Sequence, residues 1–300
     1  MGSRFEANTK FALNFFKELS ANDPSDNVVC SPFTISSSLL MVLLGARNNT
    51  EAQILKVYQD TFYQKGKKRV GCVHQRSGKF ISDINKLRAN YSLSLVNQFF
   101  GETSYDFLAG ELNESKTVQM MFKKAKYNMA HISAYQTSVL EIPFGDNELS
   151  MIILLPDEIA DNSTGLEKRE ITYEKLMDWI NPEKMFPREI ELSFPKFKLE
   201  EKYDLKPVLR SMGMTDAFDE GKADFSRMST NKDLALSEVI HKAFLEVNEE
   251  GTEAAAATGV IRVFKSAQPP LKFTADHPFL YFITERSTNS IVVIGRYSSP

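Results

Sequence analysis

The spacing of apolar and polar positions predicts helices in the first part of the chain. Residues 5–20 place large apolar side chains at helical intervals, which indicates an amphipathic helix. Ser31 and Pro32 favour a second helix over 33–44, since serine caps helix N-termini and proline fits the first turn. This segment is apolar nearly all round, so we expect it to be buried. Further helices are predicted over 50–58, 80–87, 173–180 and 205–212.

Strand patterns dominate from residue 118 onward. Two apolar runs, 139–143 and 149–155, flank a Gly-Asp-Asn turn and predict a hairpin. Residues 189–199 alternate apolar and polar side chains, as a half-buried strand does. Strands are also predicted over 28–30, 91–100, 235–247, 279–284 and 291–297, whereas 101–108 is predicted to be loop and short helix. No repeat or linker divides the chain, so we predict one mixed domain over residues 1–300.

The segment 246–266 has an unusual composition. The four alanines at 254–257 have high helix propensity, but they are too few to hold a helix in water. In a strand, one face would carry only small uncharged side chains, those of Thr252, Ala254, Ala256 and Thr258. Such a strand fits into a packed sheet without overpacking it.

Composition excludes several classes of protein. The chain has 300 residues, 42% of them hydrophobic, including 22 Phe, which supports a large core and argues against disorder. A net charge of −3 gives no electrostatic footprint for nucleic acid, and the longest apolar run, 39–44, is too short to span a membrane. Two cysteines and the lack of signal-peptide features predict a cytoplasmic location, with unconventional release to the extracellular space left open.

The sequence lacks the usual enzyme motifs. There is no Gly-x-Ser-x-Gly elbow, HExxH, P-loop or GxGxxG. Cys72 and His74 are two residues apart, but two ligands do not make a zinc site, so a loop pair is the simpler interpretation. His241 lies in an apolar strand pattern, which is typical of a hydrogen-bonded core histidine. We therefore predict no catalytic residues, no metal and no cofactor.

Residues 249–258, with the sequence EEGTEAAAAT, resemble the hinge of an inhibitory serpin. Blocks elsewhere resemble the family in the same order, among them NVVCSPFTI at 27–35, LSMIILLP at 149–156, DHPFL at 276–280 and GRYSSP at 295–300. The missing signal peptide and few cysteines resemble the ovalbumin-type branch, clade B. The resemblance implies an α+β serpin fold, with three β-sheets, surrounding helices and an exposed reactive-centre loop over about 249–271.

The resemblance also implies a mechanism. In the family, the loop offers a bait bond to a protease, is cleaved to an acyl-enzyme, and inserts into the central sheet, which distorts the protease. The native state is then metastable. Family spacing from Gly251 places the bait bond between Lys265 and Ser266, and a lysine there implies a trypsin-like serine protease as partner. Arg262 is a second basic candidate.

Other site residues follow from the same resemblance. The hinge comprises Glu249, Glu250, Gly251, Thr252, Glu253, Ala254, Ala255, Ala256, Ala257 and Thr258. Ser31 and His241 correspond to the shutter beneath the opening sheet. Glu249 and Lys196 correspond to an ion pair where the loop joins the sheet. Because exposed pairs contribute little stability, we interpret that pair as controlling access to the sheet.

The chain departs from the family pattern after Leu108. In the family, a long segment there holds two helices and a central-sheet strand, whereas here only 109–114 joins the two flanking blocks. The resemblance therefore implies a truncated fold, without that strand and without the helix that covers the sheet. The strand leading to Glu249 should then face an unpaired edge or a different neighbour. An unpaired edge would add a risk of polymerisation or aggregation to a protein otherwise expected to be a monomer.

Two functions remain open at this point. One is a serine-type endopeptidase inhibitor acting as a suicide substrate at Lys265–Ser266. The other is a non-inhibitory binding protein that keeps the serpin scaffold but cannot insert its loop. A hydrolase would need a nucleophile with a base, which the sequence does not offer.

Overall fold

A computed structural model describes most of the chain. The described residues are 4–21, 25–58, 94–96, 102–108, 115–144, 149–157, 164–166, 171–229, 234–248, 270–287 and 289–300. The helix predicted over 80–87 lies outside them.

The helices lie close to their predicted positions. They are α1 (Arg4–Ser20), α2 (Pro32–Gly45), α3 (Asn48–Tyr58), α4 (Tyr173–Trp179) and α5 (Lys206–Ser211), with short 3₁₀ turns at Ser133–Tyr135 and Asp216–Phe218. The predicted cap of α2 is confirmed, because the Ser31 hydroxyl accepts a hydrogen bond from the Thr34 backbone N–H at 3.3 Å. Within the described residues, every helix is too short or too polar to cross a membrane.

The described strands number twelve. They are β1 (Val28–Cys30), β2 (Ser94–Val96), β3 (Glu102–Leu108), β4 (Ser115–Ile132), β5 (Thr137–Phe144), β6 (Leu149–Pro156), β7 (Phe186–Pro195), β8 (Phe197–Asp204), β9 (Ile240–Asn248), β10 (Leu271–Thr274), β11 (Phe279–Glu285) and β12 (Ser290–Tyr297). The predicted hairpin is confirmed, because β5 and β6 pair antiparallel from Thr137↔Pro156 to Phe144↔Leu149.

Nine of these strands form a large sheet in the order β1-β12-β11-β6-β5-β4-β7-β10, with β3 attached to β4. The long strand β4 pairs with β7 over 120–129 and with β5 over 128–132. In the described part of the chain, the strands therefore group into two sheets.

The remaining three strands form a small sheet in the order β2-β9-β8. β8 and β9 pair antiparallel along their length, from Phe197↔Val247 to Asp204↔Ile240. On the other edge, β2 runs parallel to β9, and its three residues lie opposite Glu246, Val247 and Asn248.

The prediction of loop and short helix over 101–108 was wrong, because this segment forms β3. It pairs antiparallel with β4 from Glu102↔Met121 to Leu108↔Ser115. Only residues 109–114 join the two strands, so the ends of both strands are held close together. Pairing with β4 then satisfies backbone groups that a loop would leave to solvent.

The long strand predicted over 235–247 begins later, at Ile240. Backbone groups of the residues before it form hydrogen bonds with residues outside the small sheet. The Leu236 N–H donates to the Ala217 carbonyl at 2.8 Å, and the Val239 carbonyl accepts from the Leu205 N–H at 2.8 Å. Apolar content alone could not separate this packed segment from the strand that follows it.

An aromatic cluster joins the small sheet to the large one. Phe197 of β8 stacks on Tyr297 of β12, with ring centroids 4.4 Å apart. Phe279 of β11 lies 5.3 Å from Phe194 and 5.4 Å from Tyr297, and its side chain is fully buried. These rings form the centre of one of the two cores; the other lies against α1 and α2.

Replacing Phe279 by alanine should destabilise the protein strongly. Loss of a fully buried ring leaves a cavity and costs about 3–5 kcal/mol. The midpoint of denaturant unfolding should therefore fall clearly. Phe244→Ala is the matched control, because that ring is 43% exposed and its loss should change the midpoint little. Equal shifts for the two variants would contradict the central role of the cluster.

Candidate functional site

β9 is the strand that leads to the hinge, and its two faces differ. The side chains of Leu245 and Val247 are buried toward the aromatic cluster. On the other face, Ile240 and Phe244 are 47% and 43% exposed. The Nζ of Lys198, on β8, lies 5.2 Å from the centre of the Phe244 ring. The outer face of the small sheet thus presents apolar side chains to solvent.

The two residues assigned to the shutter are in contact. The backbone N–H of Ser31 donates a hydrogen bond to Nε2 of His241 at 3.1 Å. The Ser31 hydroxyl donates to the Val292 carbonyl of β12 at 2.9 Å. Ser31 therefore links the cap of α2 to both sheets, while its functional role as a shutter stays a prediction.

The environment of His241 fixes its state of protonation. Its Nε2 accepts a hydrogen bond from the Ser31 N–H, so that nitrogen carries no proton itself. Burial lowers the pKa of His241 below its usual value. The Tyr203 ring, opposite it on β8, lies nearly parallel with a centroid distance of 6.4 Å. The Tyr203 hydroxyl accepts from the Val29 N–H at 3.3 Å, and burial raises the pKa of that phenol.

Most of the loop lies outside the described residues, including the hinge, Lys265 and Ser266. Of the ion pair assigned to the point where the loop joins the sheet, Lys196 is described and Glu249 is not. Lys196 lies between β7 and β8, where its backbone N–H donates to the Gln119 carbonyl at 2.8 Å.

The position of β2 answers the question of which neighbour β9 has. β2 occupies the edge of β9 opposite β8, at 246–248, immediately before Glu249. Along 240–245, the described residues place no strand on this edge. The sequence predicted a strand over 91–100 but gave no sign that it pairs with β9.

Metal-binding groups are not clustered in the described part of the chain. No group of three or more His, Cys, Asp or Glu residues is arranged there to hold a metal ion. Cys30 is fully buried in β1, and burial raises the pKa of its thiol. The pair Cys72 and His74 lies outside the described residues.

Comparison with known protein families identifies the family of this chain. The family described as "Serpin (serine protease inhibitor)" matches residues 6–110 and again 106–300. This chain belongs to the serpin family. The two matches overlap at 106–110, beside the join at 109–114.

Known relatives of this serpin include clade B members. It is 37% identical to human leukocyte elastase inhibitor over 380 residues, which covers 98% of each chain. It is 38% identical to human Serpin B8 over 381 residues, which covers 98% of this chain and 99% of that one. These alignments are longer than the 300 residues of the chain. The serpin is therefore shorter than these relatives although 98% of it aligns with each of them.

Solved structures confirm the fold. Maspin has a TM-score of 0.85 with 29% identity, covering 100% of this chain and 99% of that one. Uncleaved ovalbumin has a TM-score of 0.82 with 26% identity, covering both chains completely.

The His241 contact predicts a pH dependence of stability. Because burial lowers the folded-state pKa below the unfolded value of about 6.5, the unfolded chain binds protons more readily. The stabilisation from His241 is complete above about pH 6.5 and is lost as pH falls through the folded-state pKa. The unfolding midpoint, measured from pH 8 to pH 5, should fall less in His241→Gln than in the parent. Identical pH profiles would show that His241 does not contribute.

Proposed function

We propose that this serpin is a serine-type endopeptidase inhibitor that acts as a suicide substrate, with Lys265–Ser266 as the bait bond and a trypsin-like protease as the target. The observation that carries the proposal is the intact hinge at 249–258, which follows directly on β9. Its small side chains suit insertion beside that strand. On this proposal the protein is not an enzyme and uses no cofactor.

The bait residue sets the class of protease. Lysine carries its charge on a long flexible stem, which suits a deep specificity pocket with a carboxylate at its base. The acidic pocket of a trypsin-like protease has that chemistry. Arg262 would suit the same pocket, so the class of target does not depend on the register of the bait.

Insertion has to displace β2 from the end of β9. The contact involves three residue pairs, and a backbone hydrogen bond contributes about 1 kcal/mol net, so separation costs about 3 kcal/mol. An inserted segment as long as 252–258 could pair with more of β9 than β2 does. The need to displace β2 therefore raises the activation free energy of insertion more than it changes the free-energy difference between the inserted and the uninserted state.

The second candidate is a non-inhibitory serpin-scaffold binding protein. The pairing of β2 with β9 favours it, because β2 lies beside the point where insertion would begin. In this case a protease would cleave the loop without being trapped. A chain that has lost a segment at 109–114 through splicing or a gene-model error, and that inhibits only in its full form, would behave in this way.

The position within clade B, the cellular location and the oligomeric state are proposed from the sequence resemblance. Within clade B, we propose that the chain resembles the eleventh member. A cytoplasmic location with unconventional release, and a monomeric state, belong to the same proposal. The edge of β9 along 240–245 is where polymerisation would begin.

Incubation with trypsin tests the bait. We expect a complex that resists SDS, joined through the carbonyl of Lys265, because the acyl-enzyme is trapped. Lys265→Ala should abolish the complex. Mass spectrometry of the released fragment locates the bond. Cleavage after Lys265 with no complex would exclude trapping by this chain, and a complex formed at Arg262 would correct the register.

A pair of hinge variants tests insertion separately from recognition. Ala256→Arg puts a charge on the face that carries Thr252 and Ala254, and burial of an unpaired charge is costly. We expect trypsin to cleave this variant with the trapped fraction falling at least about tenfold. The control, Ala257→Arg, alters the opposite face and should keep most of the trapping. Equal trapped fractions would mean that the hinge does not enter the sheet.

A further inference from the structure

The pairing of β11 with β12 is interrupted by a bulge. Ile283 of β11 lies opposite Val293 of β12, but the next residue of β11 lies opposite Ile291. Val292 therefore has no partner on β11. A bulge leaves backbone groups that the ladder does not use, and buried groups of this kind need other partners. Val292 is partly buried and packs against both hydrophobic cores, so the bulge lies where the two cores meet.

Side chains from α1 and from the cap of α2 supply those partners. Nδ2 of Asn8, on α1, donates to the Ile291 carbonyl at 3.0 Å. The Ser31 hydroxyl donates to the Val292 carbonyl at 2.9 Å. Two consecutive carbonyl groups of β12 are thus held from two different parts of the chain. The backbone of Val292 therefore links Asn8 to Ser31.

The amide of Asn8 is completely buried, and its orientation is fixed. A carbonyl oxygen can only accept a hydrogen bond, so the atom that faces Ile291 is the amide nitrogen. The same nitrogen donates to the Ser290 hydroxyl at 3.0 Å. Oδ1 of Asn8 accepts from the hydroxyl of Ser36, on α2, at 3.0 Å. Rotation of this amide would leave buried polar groups unpaired, so the network holds one geometry.

Two neighbouring serines on α2 differ in their relation to this network. Ser36 and Ser37 are both buried, and their hydroxyls donate to the Phe33 carbonyl at 3.0 and 2.6 Å. Of the two, Ser36 also donates to Asn8. Replacing either serine by alanine removes one hydroxyl from the same helix, but Ser36→Ala also takes a donor from Asn8. Ser37→Ala is therefore a matched control.

Ser31 connects the bulge to β9. Its hydroxyl is held by Val292, while its backbone N–H donates to Nε2 of His241 at 3.1 Å. Tyr203 packs against the His241 ring from β8. Burial is the cause that lowers the pKa of His241, so the titration of this ring reports how well the contact excludes water. A shift of the bulge would move Ser31 and open the contact.

We propose that Asn8 is a positioning residue for the movement of β9. It holds the bulge of β12, the bulge holds Ser31, and Ser31 binds His241 in β9. Separation of β9 from β2, on which insertion of the loop depends, then requires this series of hydrogen bonds to rearrange. The effect on insertion rests on the proposed function, whereas the positioning of Ser31 does not.

The titration of His241, followed by NMR of protein with ¹³C-labelled histidine, tests the positioning role. The chain has 4 His, so the signal is identified by its loss in His241→Gln. In Ser36→Ala the pKa of His241 should rise toward its ordinary value, with a proton affinity at least about threefold above that of the parent, because residues of one network are coupled. Asn8→Ala removes every hydrogen bond of the amide and should shift the titration at least as far.

Ser37→Ala should titrate as the parent does. An unchanged titration in Ser36→Ala, even with a lower unfolding midpoint, would show that the network only fastens α1 to the sheet and would overturn the proposal. Equal shifts in Ser36→Ala and Ser37→Ala would overturn it as well, because the effect would then not pass through Asn8.

The partition between trapping and simple cleavage tests the effect on insertion. With trypsin, we expect the yield of cleaved, untrapped protein to be at least about twofold lower in Ser36→Ala than in Ser37→Ala, because β9 separates from β2 more easily. Equal yields would exclude a role of Asn8 in insertion. If the parent forms no complex at all, the proposed function fails, and the titration still decides the positioning role.

Discussion

Backbone pairing along the outer edge of β9 is the constraint on which the rest of this molecule depends. β8 covers one edge of the strand over 240–247, while β2 covers only the last three residues of the other. A buried backbone group without a partner costs about 1–3 kcal/mol, so this edge favours any strand that can reach it. β2 ends opposite Asn248, and the segment assigned to the hinge follows Asn248 in the sequence. On the proposed function, trapping of a protease requires the hinge segment to replace β2 there.

The link between Ser31 and His241 connects that edge to the body of the protein. The Ser31 backbone N–H binds β9, its hydroxyl binds β12, and it also caps α2. Movement of β9 away from β2 would therefore alter the hydrogen bonds of Ser31 at the N-terminal cap of α2. A neutral His241 maintains this link, which explains why a histidine can lie in an otherwise apolar stretch of strand.

The sequence predicted local structure well because capping and periodicity are local. Ser31 and Pro32 located α2, and the apolar runs around 145–148 located the β5–β6 hairpin. The shutter contact, by contrast, came from family resemblance, since residues 210 apart carry no local signal. The sequence missed the strand β3 and gave no sign that β2 pairs with β9. No pattern within a strand records which other strand is its partner.

The thermal unfolding of the protein before and after cleavage in its loop tests this account most directly. If the freed hinge displaces β2 and pairs with β9, the sheet gains a strand, and the unfolding midpoint should rise by about 10 °C or more, since each kcal/mol is worth about 2–4 °C in a protein of this size. Ala256→Arg should remove most of that rise, because its hinge cannot be buried. An unchanged midpoint in the cleaved parent would contradict insertion and leave a scaffold that binds proteases without trapping them.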